Sequence, residues 1–293
     1  MQGEFDVLFL GGDRRSLGIA GRLLDNGLRV AGWHMQNQQA LPLLRGVEDW
    51  RQALPECRAV VLPMPAFDAQ LRLCKADDQT LSSQELFEAV GDRVPVFGGR
   101  LSLQVATQAS EYGVRIIDYH ASETVQVQNA VLTAEGAIFV AMQHLDVSIW
   151  GTRVAVLGYG RIGEALTSRL QALGATVHVG ARKERDLARI AVRGATPLDF
   201  RFRDWTEPLV SGQYAAVFNT VPYRLMDDGV LARIPKQTVL IELASAPGGW
   251  EARAPHSCRI VDAPGLPALY APRTAGELLA DEILKVWKGG ILT

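Results

Sequence analysis

The sequence predicts an α/β protein made of two doubly wound, parallel-sheet, Rossmann-like domains. Three observations predict it. Short apolar runs alternate with longer amphipathic stretches, the pattern restarts in the second half, and that half opens on a strand, a glycine-rich turn and a helix. Alternation of this kind asks for parallel sheets covered on both faces. A chain of 293 residues is long enough for two such domains.

In the first half, residues 7–10, 29–33, 59–62, 94–97 and 114–117 read as buried strands. Helix-length segments lie at 15–26, 84–90 and 103–112, and the connection at 64–82 is irregular. In the second half, strands are expected at 153–157, 176–179, 215–219, 239–243 and 259–261, with helices near 162–173, 186–193 and 227–232. Residues 133–145 carry apolar side chains at 134, 137, 138, 141 and 145, a helical spacing, and are read as a helix bridging the domains. The last helix, 275–288, has Leu278, Leu279, Ile283 and Val286 on one side. The expected division is a substrate domain at 1–122, an inter-domain helical segment at 123–149 and a nucleotide domain at 150–274, with helix 275–288 packing on the first domain.

Composition narrows the function. Apolar residues make up 48% and charged residues 21%, and 30 basic against 32 acidic residues leave a net charge of −2. No basic excess points to nucleic acid. Cys57, Cys74 and Cys258 are widely spaced and form no CxxC pair, so neither a metal site nor a disulfide framework is indicated. The N-terminus lacks a basic leader, and no run of 18 apolar residues suggests a membrane span, so a reducing cytoplasm is expected.

The strongest local signal is Gly158-Tyr159-Gly160-Arg161-Ile162-Gly163. Alone such a motif is weak. Here it follows the apolar strand Val154-Ala155-Val156-Leu157 and opens a helix, with another strand behind it, which is the context a dinucleotide site requires. Gly158 permits the turn, Gly160 lets backbone approach a pyrophosphate, and Gly163 lets the helix pack close to the strand. The bare helix N-terminus would receive the phosphates. After the next strand come Ala181, Arg182 and Lys183, with no acid until Glu184. Two cations there suit the 2′-phosphate of NADP better than the ribose hydroxyls of NAD. The alternative is that Arg182 and Lys183 merely open a solvated helix. Asn219-Thr220-Val221-Pro222 and Ala244-Ser245, which follow later strands, are candidate borders of the ribose and nicotinamide, although such residues are also common in turns.

A nucleotide fold placed second resembles the D-2-hydroxy acid dehydrogenases, and the same arrangement is expected here. That family's chemistry is not. The expected arginine position is taken by Ala244-Ser245, and the later loop, residues 262–270, holds no histidine. Its usual proton acceptor is therefore missing.

Other segments carry a more specific resemblance. Gly11-Gly12-Asp13-Arg14-Arg15, Asn129-Ala130, Thr133-Ala134-Glu135-Gly136, Val179-Gly180-Ala181-Arg182, Leu243-Ala244-Ser245 and Pro247-Gly248-Gly249 all contribute. So do Ala263-Pro264-Gly265-Leu266-Pro267 and Ala271-Pro272-Arg273-Thr274-Ala275-Gly276. Together they resemble the A-subunit family of the dipicolinate synthases of spore-forming bacteria, over nearly the whole chain. The loop at 62–66 departs from the family after Leu62-Pro63. The resemblance implies NADP-dependent oxidation of a cyclic dicarboxylate, 4-hydroxytetrahydrodipicolinate or its dehydrated form, to pyridine-2,6-dicarboxylate during sporulation. It also implies a cytoplasmic setting and a partner protein, the dipicolinate synthase B-subunit. Homo-oligomerisation stays open.

That chemistry needs anion holders and proton carriers. Arg15, at a helix N-terminus beside the backbone of Gly12, can hold a carboxylate by two parallel hydrogen bonds. Asp13 would cap that helix, orient Arg15 or carry a proton. Thr133, Glu135 and Gly136 are read as the start of the bridging helix at the inter-domain cleft. There, backbone N–H groups would bind the second carboxylate and Glu135 would carry a proton. Arg273 and Thr274, opening the last helix, are further substrate contacts, and Pro264 and Gly265 further cofactor contacts. Two alternatives stand beside this reading: a non-catalytic protein that binds NADP without turnover, and a reductase of another imino or keto acid.

Overall fold

The computed structural model describes residues 4–74, 81–250 and 256–289. The first half contains β1 (Val7–Leu10), α1 (Arg14–Asp25), β2 (Val30–Trp33), β3 (Arg45–Gly46), α2 (Trp50–Ala53), β4 (Ala59–Val61), α3 (Ser83–Val90), β5 (Val96–Gly98), α4 (Leu103–Glu111) and β6 (Ile116–Asp118). There follow α5 (Glu123–His144), β7 (Arg153–Leu157), α6 (Arg161–Ala172), β8 (Thr176–Ala181), α7 (Glu184–Val192), β9 (Thr196–Asp199) and α8 (Glu207–Ser211). The chain ends with β10 (Ala216–Asn219), α9 (Asp228–Leu231), β11 (Val239–Glu242), β12 (Arg259–Asp262), α10 (Leu266–Tyr270) and α11 (Pro272–Lys288). Two compact units result, Met1–Asn129 with Ala271–Thr293, and Ala130–Tyr270.

Each unit is a six-stranded parallel sheet, ordered β3-β2-β1-β4-β5-β6 in the first and β12-β11-β10-β7-β8-β9 in the second. Alternation of side chains explains the unbroken apolar runs at the centres. In β1, Leu8 and Leu10 pack on one face with Leu86 and Phe87, while Val7 and Phe9 pack on the other with Ile19, Leu279 and Ile283. In β7, Val154 and Val156 join Ala137, Leu166 and Leu170, and Ala155 and Leu157 face Leu209, Tyr214 and Leu231.

The sheets have six strands where five each were expected. The additional ones are edge strands. β3 has two residues, both exposed, and β9 reads Thr-Pro-Leu-Asp. Neither shows an apolar run, and proline is tolerated there because an edge strand has no second neighbour to bond.

The bridging helix also begins earlier than its spacing suggested, at Glu123 rather than Thr133. Residues 123–132 are rich in β-branched and polar side chains that favour helix weakly, yet burial of Val125, Ala130 and Leu132 holds them helical. By length and a mean hydropathy of 1.2, α5 alone among the described helices could cross a bilayer, but half of that stretch is buried in protein. Core packing of Ala134, Ala137, Val140 and Ala141 accounts for its apolar character.

Helix α11 packs along α1 in the first unit. Two glycines allow this approach. A Cβ at Gly276 would lie 2.2 Å from the carbonyl oxygen of Arg15, and one at Gly18 would lie 2.7 Å from that of Arg273.

Candidate functional site

Because every strand pairing is parallel, the loops that follow the strands of one sheet share an edge. Ligands of such sheets bind where the strand order reverses. In the second unit the order reverses between β7 and β10. The turn Gly158–Gly163 and the loop Asn219–Pro222 meet there. Gly158 has φ +103, and a Cβ on it would strike Thr220 Oγ1 at 2.4 Å and Val221 at 2.7 Å. A Cβ on Gly163 would lie 2.1 Å from the Gly158 carbonyl oxygen. Gly160 differs, since nothing lies within 4 Å of its Cβ position. It is also the N-cap of α6, and no side chain caps that end. The first turn of α6 is therefore open where a pyrophosphate would bond. Arg161 is exposed and Ile162 half-buried at this turn.

At the tip of β8, Ala181 is buried while Arg182 and Lys183 are exposed and make no ion pair among the described residues. Glu184, the nearest acid, is bonded by Arg201 Nη1 at 2.9 Å, and the same guanidinium grips Asp199 at 2.7 Å. The residues present thus fit a phosphorylated dinucleotide, with an open helix end, a glycine cradle and two cations.

Several expected cofactor contacts are redirected. The Asn219 side chain is fully buried and donates to Glu242 Oε1 at 2.7 Å and to the Val221 carbonyl at 2.9 Å, so it shapes the loop from inside. The Thr220 hydroxyl donates to the Leu157 carbonyl, and Val221 walls the glycine turn. The Tyr159 ring turns toward α7, with the Arg189 guanidinium over it and Arg193 near its hydroxyl, which leaves only its backbone in the turn. Pro222, Ser245, Pro264 and Gly265 are exposed and Ala244 is half-buried in loops that follow their strands.

Glu242, at the end of β11, escaped the sequence reading. Its carboxylate accepts from Gly249 N at 2.7 Å, Ala244 N at 3.0 Å and Asn219 Nδ2, tying two strand-end loops together. Burial raises its pKa, and these hydrogen bonds oppose the shift without cancelling it. The available signal was a lone acid inside the apolar run Val239-Leu240-Ile241 to Leu243.

In the first unit the order reverses between β1 and β4. Gly11 and Gly12, with φ +66 and +128, make the turn after β1. Asp13 caps α1 by accepting from Arg15 N at 2.9 Å. The carboxylate also holds the Arg15 guanidinium, with Nη2 at 2.8 Å from Oδ2 and Nε at 3.2 Å from Oδ1. Nη2 donates further to the carbonyl of Met64 in the loop after β4. Only 12% of the Arg15 side chain and 15% of the Asp13 side chain are exposed, so this is an oriented cation at the switch point. Tyr119, fully buried beside it, donates to the Leu62 carbonyl at 2.8 Å and braces the same loop. Both Asp13 oxygens bond Arg15, so Asp13 caps α1 and orients Arg15.

The helix α5 contacts are corrected as well. Thr133, Glu135 and Gly136 lie mid-helix, where backbone N–H groups bond within the helix and cannot receive a carboxylate. Thr133 is buried, and Gly136 is a packing glycine whose Cβ would come within 2.8 Å of Leu266. The exposed Glu135 carboxylate pairs with Arg169 at 3.7 Å. On α11, the Arg273 side chain is 87% exposed and bonded to Glu277 of its own helix, and Thr274 is exposed. Among the described residues no group of acids, histidines and cysteines could hold a metal ion.

Comparison with known proteins agrees with this geometry. The family model for the N-terminal domain of the dipicolinate synthase A-subunit matches residues 6–120. The model described as NADP oxidoreductase, coenzyme F420-dependent, matches residues 153–242. The chain is 29% identical to the dipicolinate synthase A-subunit of Bacillus subtilis over 78% of this chain and 77% of that one. The crystal structure of the dipicolinate synthase A-subunit from Bacillus halodurans superposes with a TM-score of 0.86 at 28% identity, covering 98% of both chains. A D-lactate dehydrogenase from Treponema pallidum shares the fold alone, with a TM-score of 0.59 at 14% identity over 97% of this chain and 96% of that one. The class is therefore that of the pyridine-nucleotide oxidoreductases built on two Rossmann-like units. Within it, the chain is similar to the dipicolinate synthase A-subunits along most of its length, and its first unit matches the model of their N-terminal domain.

Proposed function

We propose that this protein is an NADP-dependent oxidoreductase that makes pyridine-2,6-dicarboxylate from 4-hydroxytetrahydrodipicolinate, in the cytoplasm of a sporulating cell and together with the synthase's B-subunit. The observation that carries this reading is the pairing of two sites in one chain. An oriented guanidinium stands at the first switch point, inside the stretch matched by the dipicolinate synthase domain, and an open, cation-flanked helix end stands at the second.

The chemistry balances simply. Loss of water from the hydroxylated ring gives the dihydro compound. Loss of a hydride and a proton from that gives the aromatic ring. NADP, when bound, supplies the hydride acceptor. The Gly158–Gly163 turn and the α6 end would hold its pyrophosphate, and Arg182 with Lys183 its 2′-phosphate. Arg15 receives one ring carboxylate through charge-assisted hydrogen bonds, with Asp13 and the Met64 carbonyl fixing its direction. The proton leaves on a downhill path, because elimination and aromatisation are favourable.

The test mixes purified chain, freshly made 4-hydroxytetrahydrodipicolinate and NADP+ or NAD+, with and without the B-subunit. NADPH is followed by absorbance and pyridine dicarboxylate by mass. Product with NADP+ preferred supports the reading. Product only in the presence of the B-subunit makes the chain half of a shared catalyst. Tight NADP binding without product under any condition removes the assignment in favour of a non-catalytic binding protein.

A further inference from the structure

We propose that Arg201 is a positioning residue that sets preference for a 2′-phosphorylated nucleotide by withdrawing Glu184 from the nucleotide. The inference rests on the NADP reading above and assigns the means of discrimination within that site.

The geometry is local and complete. β8 and β9 run parallel in register, with Ala181 opposite Asp199 at their ends. The chain then turns at Phe200, whose N–H donates to the Ala181 carbonyl at 2.9 Å. The Phe200 ring lies over Gly180, where a Cβ would come within 2.2 Å of it, so the absence of a side chain at Gly180 seats the turn. Arg201 follows, with its N–H and Nε both 3.0 Å from Asp199 Oδ1. That fork leaves Nη1 to cross to Glu184, 2.9 Å away on the first residue of α7. One guanidinium thus occupies both carboxylates that flank the tip of β8, while Arg182 and Lys183 between them remain unpaired among the described residues.

Exposed ion pairs of this kind contribute little to stability. Their effect here is on the local field. A dianionic 2′-phosphate arriving beside Arg182 would be repelled by a released Glu184 well within the screening length. The same carboxylate would be free to accept from the ribose hydroxyls of a nucleotide without that phosphate. Neutralising it favours the phosphorylated ligand without any contact from Arg201 itself.

The test measures dissociation constants of 2′,5′-ADP and 5′-AMP by titration calorimetry on the full chain. The proteins are wild type, Arg201→Ala, Arg201→Gln, and Arg201→Ala combined with Glu184→Gln. Wild type should prefer 2′,5′-ADP. Either single variant should lose about tenfold of that preference, with Arg201→Gln retaining a neutral bond to Asp199 should the alanine variant fold poorly. Adding Glu184→Gln should restore most of it. Unchanged preference in both single variants overturns the inference and leaves the NADP reading standing. A loss that Glu184→Gln does not restore makes Arg201 a direct phosphate ligand, which also overturns it. A wild type that binds the two nucleotides equally overturns the inference and the cofactor reading together.

Discussion

The two units have the same strand order and a glycine turn after the first central strand, yet the helix that follows begins differently in each. In the first unit the N-cap of α1 is Asp13, whose carboxylate fills the end of the helix and holds the Arg15 guanidinium. In the second unit the N-cap of α6 is Gly160, with no side chain over the helix end and open space around it. One residue type at one position thus separates a helix end filled by a carboxylate that holds a guanidinium from a helix end with bare N–H groups. The topology places a switch point in each unit, and the cap decides which groups the helix end leaves open there.

Exchanging the caps breaks the comparison most sharply. Gly160→Asp should lower nucleotide affinity by at least about 100-fold while leaving stability within about 0.5 kcal/mol, because an aspartate cap serves the helix as well as glycine does. Nucleotide titration and thermal melting on one sample check both parts, and binding at wild-type strength would show that the α6 end is not the phosphate site. In the first unit, Arg15→Met should lower kcat/KM for the dicarboxylate by about 100-fold, roughly 3 kcal/mol, with nucleotide affinity unchanged. Asp13→Gly should raise KM by about tenfold through loss of orientation alone, the cap itself costing only a few tenths of a kcal/mol. Equal damage to nucleotide binding from either substitution would remove the division of labour.

Two glycines sharpen it further. Gly276→Ala in the first unit and Gly163→Ala in the second should each cost about 1–3 kcal/mol in denaturant melts, since each new methyl meets backbone oxygen at 2.2 and 2.1 Å. A Gly160→Ala control should cost far less, because its Cβ meets nothing.

The smallest expected effect is a difference in the sign of pH dependence. Asp6 in the first unit is partly buried, which alone would raise its pKa. Hydrogen bonds from Arg29, and the charges of Arg29 and Arg58, outweigh that and hold it low. Its contribution is present above the ordinary carboxylate value and is lost as pH falls through the depressed one. Glu242 has a raised pKa, so its contribution is present below the ordinary value and is lost as pH rises through the raised one. Melts across pH 3–8 should therefore show wild type gaining on Glu242→Gln as pH falls from neutrality toward the ordinary carboxylate range, about pH 4. Its margin over Asp6→Asn should shrink only below that range. Parallel trends would show that the two carboxylates do not differ as their surroundings imply.

Much of this was legible in the residues. The central strands announced themselves because burial on both faces requires unbroken apolar runs such as Val-Leu-Phe-Leu. The glycine turn was legible because its spacing is set by backbone contacts within a few residues. The edge strands β3 and β9 were not, since an edge needs no apolar run, and the first ten residues of α5 were not, since burial rather than propensity makes them helical. The expected start of that helix put Thr133, Glu135 and Gly136 at a helix end they do not occupy, and free N–H groups are available only at such an end.

By itself the sequence determined two parallel sheets, an open helix end in the second half and a cation just past the first strand, because periodicity and turn chemistry act over short stretches of chain. Only the tertiary structure decided where the side chains at the strand ends are spent. Arg15 reaches Met64 across 49 residues, Asn219 reaches Glu242 across 23, and Arg201 reaches Glu184 across 17. Such bonds join loops that meet because of strand order, and strand order is set by the packing of whole sheets, which leaves no repeat or spacing in the chain to read.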